Sequence, residues 1–413
     1  MDKLPISMPN LEKLMNKGIT FTNAVTPSPL CAPARACLAS GLRYDKCNVE
    51  NNSFDYPLDQ KTFYSVLKEN NYNVGGVGKF DLHKLTKWWG VNGWIDELGA
   101  LGFTHAIDNA GKWDAVHSGK EEPKDPYMKF LYDVGLATVH LDDMKERGQK
   151  VEPTQLPDEA YCDNWLSKKG IDMIRDFEKD RPWFLQVNFT GPHDPWDVTK
   201  SMREKWENVS FPLPNKWDEN SEIDIVSIRQ NYAAMLENID MNIGLFIKEI
   251  EKRGELDNTI IIYSSDHGEM LGDFNRFGKS TWHRGSINIP FVIAGPNIQK
   301  GVYSDALVEL QDITSTILEY ANTSMKEAKD SLSLKSLLEG KTNSHREYQV
   351  SGLNPPKNNK RKSMKTIFDG KYKLVIEDEN IKLFDIMNDP WENNNISTGN
   401  EDIVNKLLKV IEV

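Results

Sequence analysis

Between residues 31 and 41 the chain reads Cys-Ala-Pro-Ala-Arg-Ala-Cys-Leu-Ala-Ser-Gly. A thiol at Cys31 is followed by Pro33, the guanidinium of Arg35, and the small hydroxyl–glycine pair Ser40-Gly41. A solitary thiol ordinarily packs as a small apolar side chain, and Cys37, Cys47 and Cys162 read that way. Cys31 stands apart from them at the head of the run through Pro33, Arg35, Ser40 and Gly41. Arg35 brings a planar fork of donors that suits fixed oxygens. Ser265-Asp266-His267-Gly268-Glu269 follows an apolar strand, and strand ends are where open α/β sheets place ligands. A carboxylate and an imidazole together suit a divalent cation, which takes oxygen readily and nitrogen less often; the plain alternative is a polar turn. His193 stands between Pro192 and Pro195 after another strand, and proton transfer suits a side-chain type whose ordinary pKa lies near neutrality. Two Gly-Lys pairs, Gly78-Lys79 and Gly278-Lys279, supply ammonium groups. For Lys79 the plain reading is a surface pair with Asp81.

These side chains need rigid elements behind them. Residues 9–18 read as an amphipathic helix with Leu11, Leu14 and Met15 on one face. Phe21–Val25 reads as a strand, prolines 27, 29 and 33 make the approach to Cys31 irregular, and a helix starts near Arg35. Residues 61–70 read as a helix and Tyr72–Phe80 as a strand. Trp183–Phe189 is nearly continuously apolar, as for a parallel strand covered on both faces. Residues 223–253 give the clearest helix, with Met235, Ile239, Ile243, Phe246 and Ile250 at steps of three and four and Gly254 at the capping position. Thr259–Tyr263 and Ile289–Ile293 are further buried strands. Strands alternating with helices predict a doubly wound, mostly parallel sheet. Residues 84–165 read as a substrate-side insertion of long loops and short helices, rich in Trp and Tyr. Its aromatic rings could stack on sugars, but packing as the core of a loop-rich cap is the plainer reading. Residues 343–413 read as a small antiparallel α+β subdomain, with a meander over 364–384 and a closing helix over 402–412. The expected domains are 1–342 and 343–413.

With 39% hydrophobic and 27% charged residues in 413, the composition fits a soluble globular enzyme. A net charge of −12 argues against nucleic acid as a partner. Four cysteines at irregular spacing give no disulfide scaffold. No apolar run is long enough to span a bilayer. No signal peptide stands at residue 1, so the chain as given reads as cytoplasmic; a periplasmic or secreted location follows if a signal precedes it.

The stretch from Cys31 resembles the signature of the type I sulfatases, Cys-x-Pro-x-Arg followed by a small hydroxyl residue and Gly. The family belongs to the alkaline-phosphatase-like superfamily, which implies that α/β fold here. The resemblance implies that a maturation enzyme oxidises Cys31 to formylglycine, whose hydrate then serves as nucleophile. It implies a divalent metal, most often Ca2+, held by Asp266, His267 and the modified Cys31. Lys79 and Lys279 would bind the sulfate, Arg35 would orient the formylglycine, and His193 would face the sulfate and protonate the leaving oxygen. His283 and Arg284 would line the pocket. The family has a His where this chain has Asp81; the next one, His83, is carried as a substrate-binding candidate. Asn10, Thr26 and Ser28 read as structural.

The resemblance reaches both ends. Met8-Pro9-Asn10-Leu11-Glu12-Lys13-Leu14 matches the family's Thr-Pro-Asn-Leu-Asp-x-Leu, and Lys382–Glu392 matches its closing Lys-Leu-Phe-Asp-x-x-Asp-Pro-x-Glu with one extra residue. The family opens with a strand ending in two metal-binding Asp residues. That strand is expected to be missing here, with Asp2 a poor substitute. The function implied is hydrolysis of an aryl or carbohydrate sulfate monoester. Two alternatives stay open: a phosphonate or phosphate monoesterase on the same scaffold, and an inactive truncated relative.

Overall fold

Apolar runs bounded by Gly, Pro and Asn become strands, and in chain order these are β1 (Gly18–Phe21), β2 (Ala24–Val25), β3 (Asn73–Gly78), β4 (His105–Asp108), β5 (Trp183–Asn188), β6 (Ile261–Ser264), β7 (Phe291–Ala294), β8 (Val302–Ser304), β9 (Val308–Glu309), β10 (Gln349–Leu353), β11 (Met364–Phe368), β12 (Tyr372–Glu377) and β13 (Asn380–Asp385). The structure is a computed structural model that describes residues 5–148, 150–354 and 363–411; Asp2 lies outside them. The chain forms two compact units. The first combines residues up to Lys13 with Leu67–Thr259, and the second combines Leu14–Val66 with the chain from Ile260 onward.

In the first unit β3 lies between β4 and β5, and both ladders are parallel. Val77, Trp89, Tyr127, Met128, Leu131, Trp165 and Leu166 build its core. The helices Cys162–Asp176 and Ile225–Lys252 pack on each other, and Gly254 follows the second at φ 74°, the left-handed conformation that ends helices. The 84–165 segment is more ordered than its composition suggested. It carries β4 and the helices Gly111–Ser118, Pro126–Asp133 and Ala137–Arg147. A four-residue strand is too short to show a period, so β4 was invisible in the sequence. Trp89, Tyr127 and Trp165 are buried as core, whereas Trp88 and Trp94 are exposed. The helix Pro9–Lys17 begins here too. Asp240 accepts from the backbone N–H of Asn10 and Leu11 and from the Asn10 amide. A remote carboxylate thus caps that helix, a contact worth about 1 kcal/mol, and Asn10 is structural as expected.

In the second unit the order β6-β7-β1-β8 is mixed: β7 is antiparallel to both neighbours, while β1 and β8 run parallel. The strand expected over 21–25 is broken in two. Thr22 and Asn23 turn outward to bond the carbonyls of Ser304 and Asp305, between β1 in this sheet and β2, which pairs with β9. Gly18 is required, because a Cβ there would stand 2.1 Å from the Ile293 carbonyl oxygen. Ile19, Phe21, Ala34, Phe291, Ile293, Val308 and Leu334 form the core. β10 joins the expected meander to give an antiparallel sheet β10-β11-β12-β13. Its Ile367, Leu374 and Leu383 pack with Val404 and Leu407 of the helix Glu401–Leu408.

Candidate active site

Cys31 is the first residue of the helix Cys31–Ser40. An alanine-rich sequence favours that helix, and Gly41 ends it at φ 67°, donating its N–H to the Cys37 carbonyl. Ser40 bonds back to the Ala36 carbonyl at 2.7 Å, so the signature's hydroxyl closes the helix. At the other end the Asn52 side chain accepts the Ala32 N–H at 3.0 Å. Cys31 therefore sits at a helix N-terminus, where the dipole favours negative charge.

The Asp266-His267 turn follows β6 and reaches this thiol. Cys31 Sγ lies 3.3 Å from His267 Nε2. Asp266, His267 and Cys31 each offer one ligand atom, all within 4.8 Å of one another. Arg35, one turn along the helix, donates Nε to Asp266 Oδ2 at 2.9 Å. The turn is held from several sides: Thr26 Oγ1 donates to the Asp266 carbonyl at 2.5 Å, and Gly268 N donates to the Ser286 carbonyl at 2.8 Å. A Cβ on Gly268 would stand 2.1 Å from the Gly285 carbonyl, so only glycine fits this approach. His267 Nδ1 lies 2.8 Å from the Gly268 carbonyl. This bond leaves Nε2 as the ligand atom when Nδ1 carries the proton.

Lys279 is placed by its backbone. Gly278 and Ser280 flank it at φ 74° and 69°, and Ser280 N donates to the Pro29 carbonyl at 3.1 Å, just ahead of Cys31. Glu269 accepts the N–H of Leu271 at 3.0 Å and of Gly278 at 2.5 Å. Leu271 and Phe274 have positive φ as well, unusual for bulky residues and typical of functional loops. His283 is buried; its ring stacks on Trp282 with 3.7 Å between centroids and packs against Phe274 at 4.4 Å. Arg284 N donates to Glu392 Oε2 at 2.8 Å, and Glu392 in turn pairs with the buried Lys373. Burial pushes the Lys373 ammonium below its usual range, which the Glu392 carboxylate opposes.

Lys79, His83 and His193 belong to the first unit. Gly78 at φ 105° carries β3 into Lys79, and a Cβ there would stand 2.0 Å from the Asn188 carbonyl. Lys79 Nζ lies 3.2 Å from Asp81 Oδ2, and Lys84 Nζ bonds the other carboxylate oxygen at 2.8 Å. Asp81 is buried, so the pair of the plain reading exists, but off the surface. His83 Nε2 lies 3.2 Å from Asp108 Oδ2, with both side chains at 5% exposure or less. His193 is 32% exposed and its Nδ1 lies 3.0 Å from Asp194 Oδ1. The Gly191–Pro192 and Asp194–Pro195 peptides on either side are cis.

Sequence reasoning missed Asn52, Glu269, Lys112 and Asp163. Only Glu269 lay inside a recognised motif; the others act through tertiary contacts and leave no local signal. Thr26 was set aside as structural, and the structure shows what it holds.

The family model described as "Sulfatase" matches residues 2–323, and "N-sulphoglucosamine sulphohydrolase, C-terminal" matches residues 272–412. An arylsulfatase of Clostridium perfringens (strain 13 / Type A) is 29% identical over 375 residues, covering 83% of this chain and 76% of the relative. A protein solved with its substrate D-glucosamine-2-N,6-O-disulfate superposes with a TM-score of 0.76 at 19% identity, covering 98% of this chain and 92% of that one. A phosphonate monoester hydrolase from Silicibacter pomeroyi gives a TM-score of 0.82 at 19% identity, covering 98% and 89%. The fold is the expected alkaline-phosphatase-like α/β architecture with a C-terminal antiparallel sheet. Among the described residues no helix is long and apolar enough to cross a membrane.

Proposed function

This chain belongs to the sulfatase family and is a sulfuric ester hydrolase, and from that premise we propose how its residues divide the work. The observation that carries the reading is the cluster of Cys31 Sγ, Asp266 and His267 within 4.8 Å, with Arg35 on the carboxylate. The family generally uses a metal and formylglycine. The donor set fits one refinement: a thiol is a soft ligand, whereas a carboxylate suits a hard cation. Replacing sulfur at residue 31 by the oxygens of a hydrated aldehyde makes the set consistent for Ca2+. Asp266, His267 and residue 31 would hold that ion, which when bound supplies Lewis-acid polarisation of the sulfate oxygens. A maturation enzyme acting on Cys31 is part of the proposal.

The remaining roles fall to the chain's own groups. One hydroxyl of the hydrated aldehyde attacks sulfur as the ester alcohol departs. His193 gives the departing oxygen its proton, and Asp194 Oδ1, 3.0 Å from Nδ1, orients the ring. Lys79 and Lys279 neutralise sulfate oxygens, and Arg35 holds Asp266 in place. Loss of the second hydroxyl's proton then expels sulfate, and water re-adds to the aldehyde. His83, buried against Asp108, holds the Lys79–Asp81 turn, and His283 supports the Lys279 loop. The substrate class proposed is an aryl or carbohydrate sulfate, supported by the substrates named for the relatives.

The test is sulfate release from an aryl sulfate, with Ca2+ and with a chelator, on protein whose residue 31 is verified as formylglycine by mass spectrometry. Chelator-sensitive release is expected, and Cys31→Ala should lower it on the order of 10^4-fold or more. No release from aryl or sugar sulfates by fully converted protein would overturn the assignment. The likeness in fold to a phosphonate monoester hydrolase keeps a second reading: faster cleavage of the phosphate than of the sulfate ester of one phenol would favour it.

A further inference from the structure

Lys112 belongs to no motif, yet its ammonium is buried beside the His193 loop. It donates to Asp197 Oδ1 at 2.5 Å, the Pro195 carbonyl at 3.1 Å, the Tyr161 hydroxyl at 3.4 Å and the His193 carbonyl at 3.5 Å. At the loop's other end the buried Asp163 carboxylate accepts the N–H and hydroxyl of Thr190, each at 2.7 Å, and the Gly191 N–H at 2.9 Å. Two buried charged groups thus grip residues 190–197 on either side of His193.

The helix that carries Lys112, Gly111–Ser118, makes two more contacts of the same kind. Trp113 Nε1 donates to Asp194 Oδ2 at 3.2 Å, on the carboxylate whose other oxygen faces His193 Nδ1. Gly111 gives room to the Lys79 stem, since a Cβ there would stand 3.0 Å from Lys79 Cδ. One short helix therefore touches both Lys79 and the His193 loop. Burying charges is costly, and apolar replacements are often at least as stable. A clamp built from charges gives directional bonds, which fix an orientation that apolar packing does not.

We propose that Lys112 and Asp163 are positioning residues for His193, fixing the Gly191–Pro195 loop so that the imidazole stays aligned with the leaving oxygen. The inference rests on the reading that His193 protonates that oxygen. Burial raises the Asp163 and Asp197 carboxyls, and Lys112 opposes the rise.

The experiment measures kcat and KM for aryl sulfates of increasing phenol pKa, using metal-loaded, formylglycine-bearing protein. The variants are Lys112→Met, Lys112→Met/Asp197→Asn, Asp163→Asn and His193→Ala, each checked for folding by its melting curve. The double variant leaves no unpaired buried carboxylate at Asp197, so it serves if Lys112→Met does not fold. The clamp variants should lose about 10- to 100-fold in kcat on the poorest leaving groups, with little change on the best and little change in KM. His193→Ala should show the same trend more steeply. If His193→Ala loses rate equally across the series, the role given to His193 fails. If His193→Ala is steep while folded clamp variants keep the parental slope, the positioning inference is overturned.

Discussion

At Asp266 a single residue serves several partners. Its Oδ2 accepts from Arg35, its Oδ1 accepts from the next backbone N–H, and its carbonyl accepts from Thr26. Both carboxylate oxygens are thereby held by the chain's own donors, which is what pre-organisation requires. Arg35→Lys keeps the charge but loses the rigid fork. We expect kcat/KM for an aryl sulfate to fall about 10- to 100-fold with the melting temperature nearly unchanged; parental kinetics would show that Arg35 does not aim the carboxylate. Cys31, Arg35, Asp266 and His267 were legible from the chain because each sits at a set step within a short motif. The partners of His193 were not. Lys112, Asp163 and His193 are far apart in sequence, and only the packing of the first unit's helices brings them together.

At the scale of elements, the loop from Glu269 to Ser280 combines six positions of positive φ around Lys279 with one organising carboxylate: Leu271, Gly272, Phe274, Asn275, Gly278 and Ser280. Strained backbone persists only where surroundings over-determine it, and here Glu269 supplies two of the constraints. Glu269→Ala leaves two N–H groups to find other acceptors. It should lower kcat/KM about tenfold and speed proteolytic nicking within 270–280; full protection with parental kinetics would refute this. The helix Cys31–Ser40 was expected near Arg35 but begins at Cys31. That difference matters, because it places Cys31, the proposed nucleophile position, at the first turn, where the dipole acts. The prolines suggested irregular chain, yet Pro33 stands in the first turn of a helix, where it is tolerated.

At the scale of the whole molecule, buried titratable groups decide how stability responds to acid. His140 is buried, and neither ring nitrogen has a hydrogen-bond partner among the described residues. Burial lowers its pKa from 6.5 to about 4. The unfolded chain therefore takes up a proton below pH 6.5 that the folded protein refuses. The stability linked to His140 is fully present above pH 6.5 and is lost as pH falls through about 4. Within that window the loss is up to about 1.4 kcal/mol per pH unit. His140→Leu should remove this part of the slope and be neutral to stabilising at pH 7. Denaturant midpoints between pH 4 and 7 check it, and a slope identical to the parent's would contradict it. Asp312 adds a second loss at lower pH: burial raises its carboxyl, but Arg346 outweighs that and holds it at about 2.

The sequence by itself determined the chemistry-bearing groups, their order, and the longer elements. Motif spacing and the 3.6-residue period are local properties, readable without knowing what lies across the fold. The Cys31 motif, the Asp266-His267 turn after β6, the helix Ile225–Lys252 and the C-terminal meander were all visible that way. Only the tertiary structure decided strand direction, as in antiparallel β7, and membership of the β4-β3-β5 sheet. It also decided which base meets which acid: Arg35 with Asp266, His83 with Asp108, Lys112 with Asp197. Pairing depends on desolvation and distance between residues remote in sequence, and those exist only once the chain has packed.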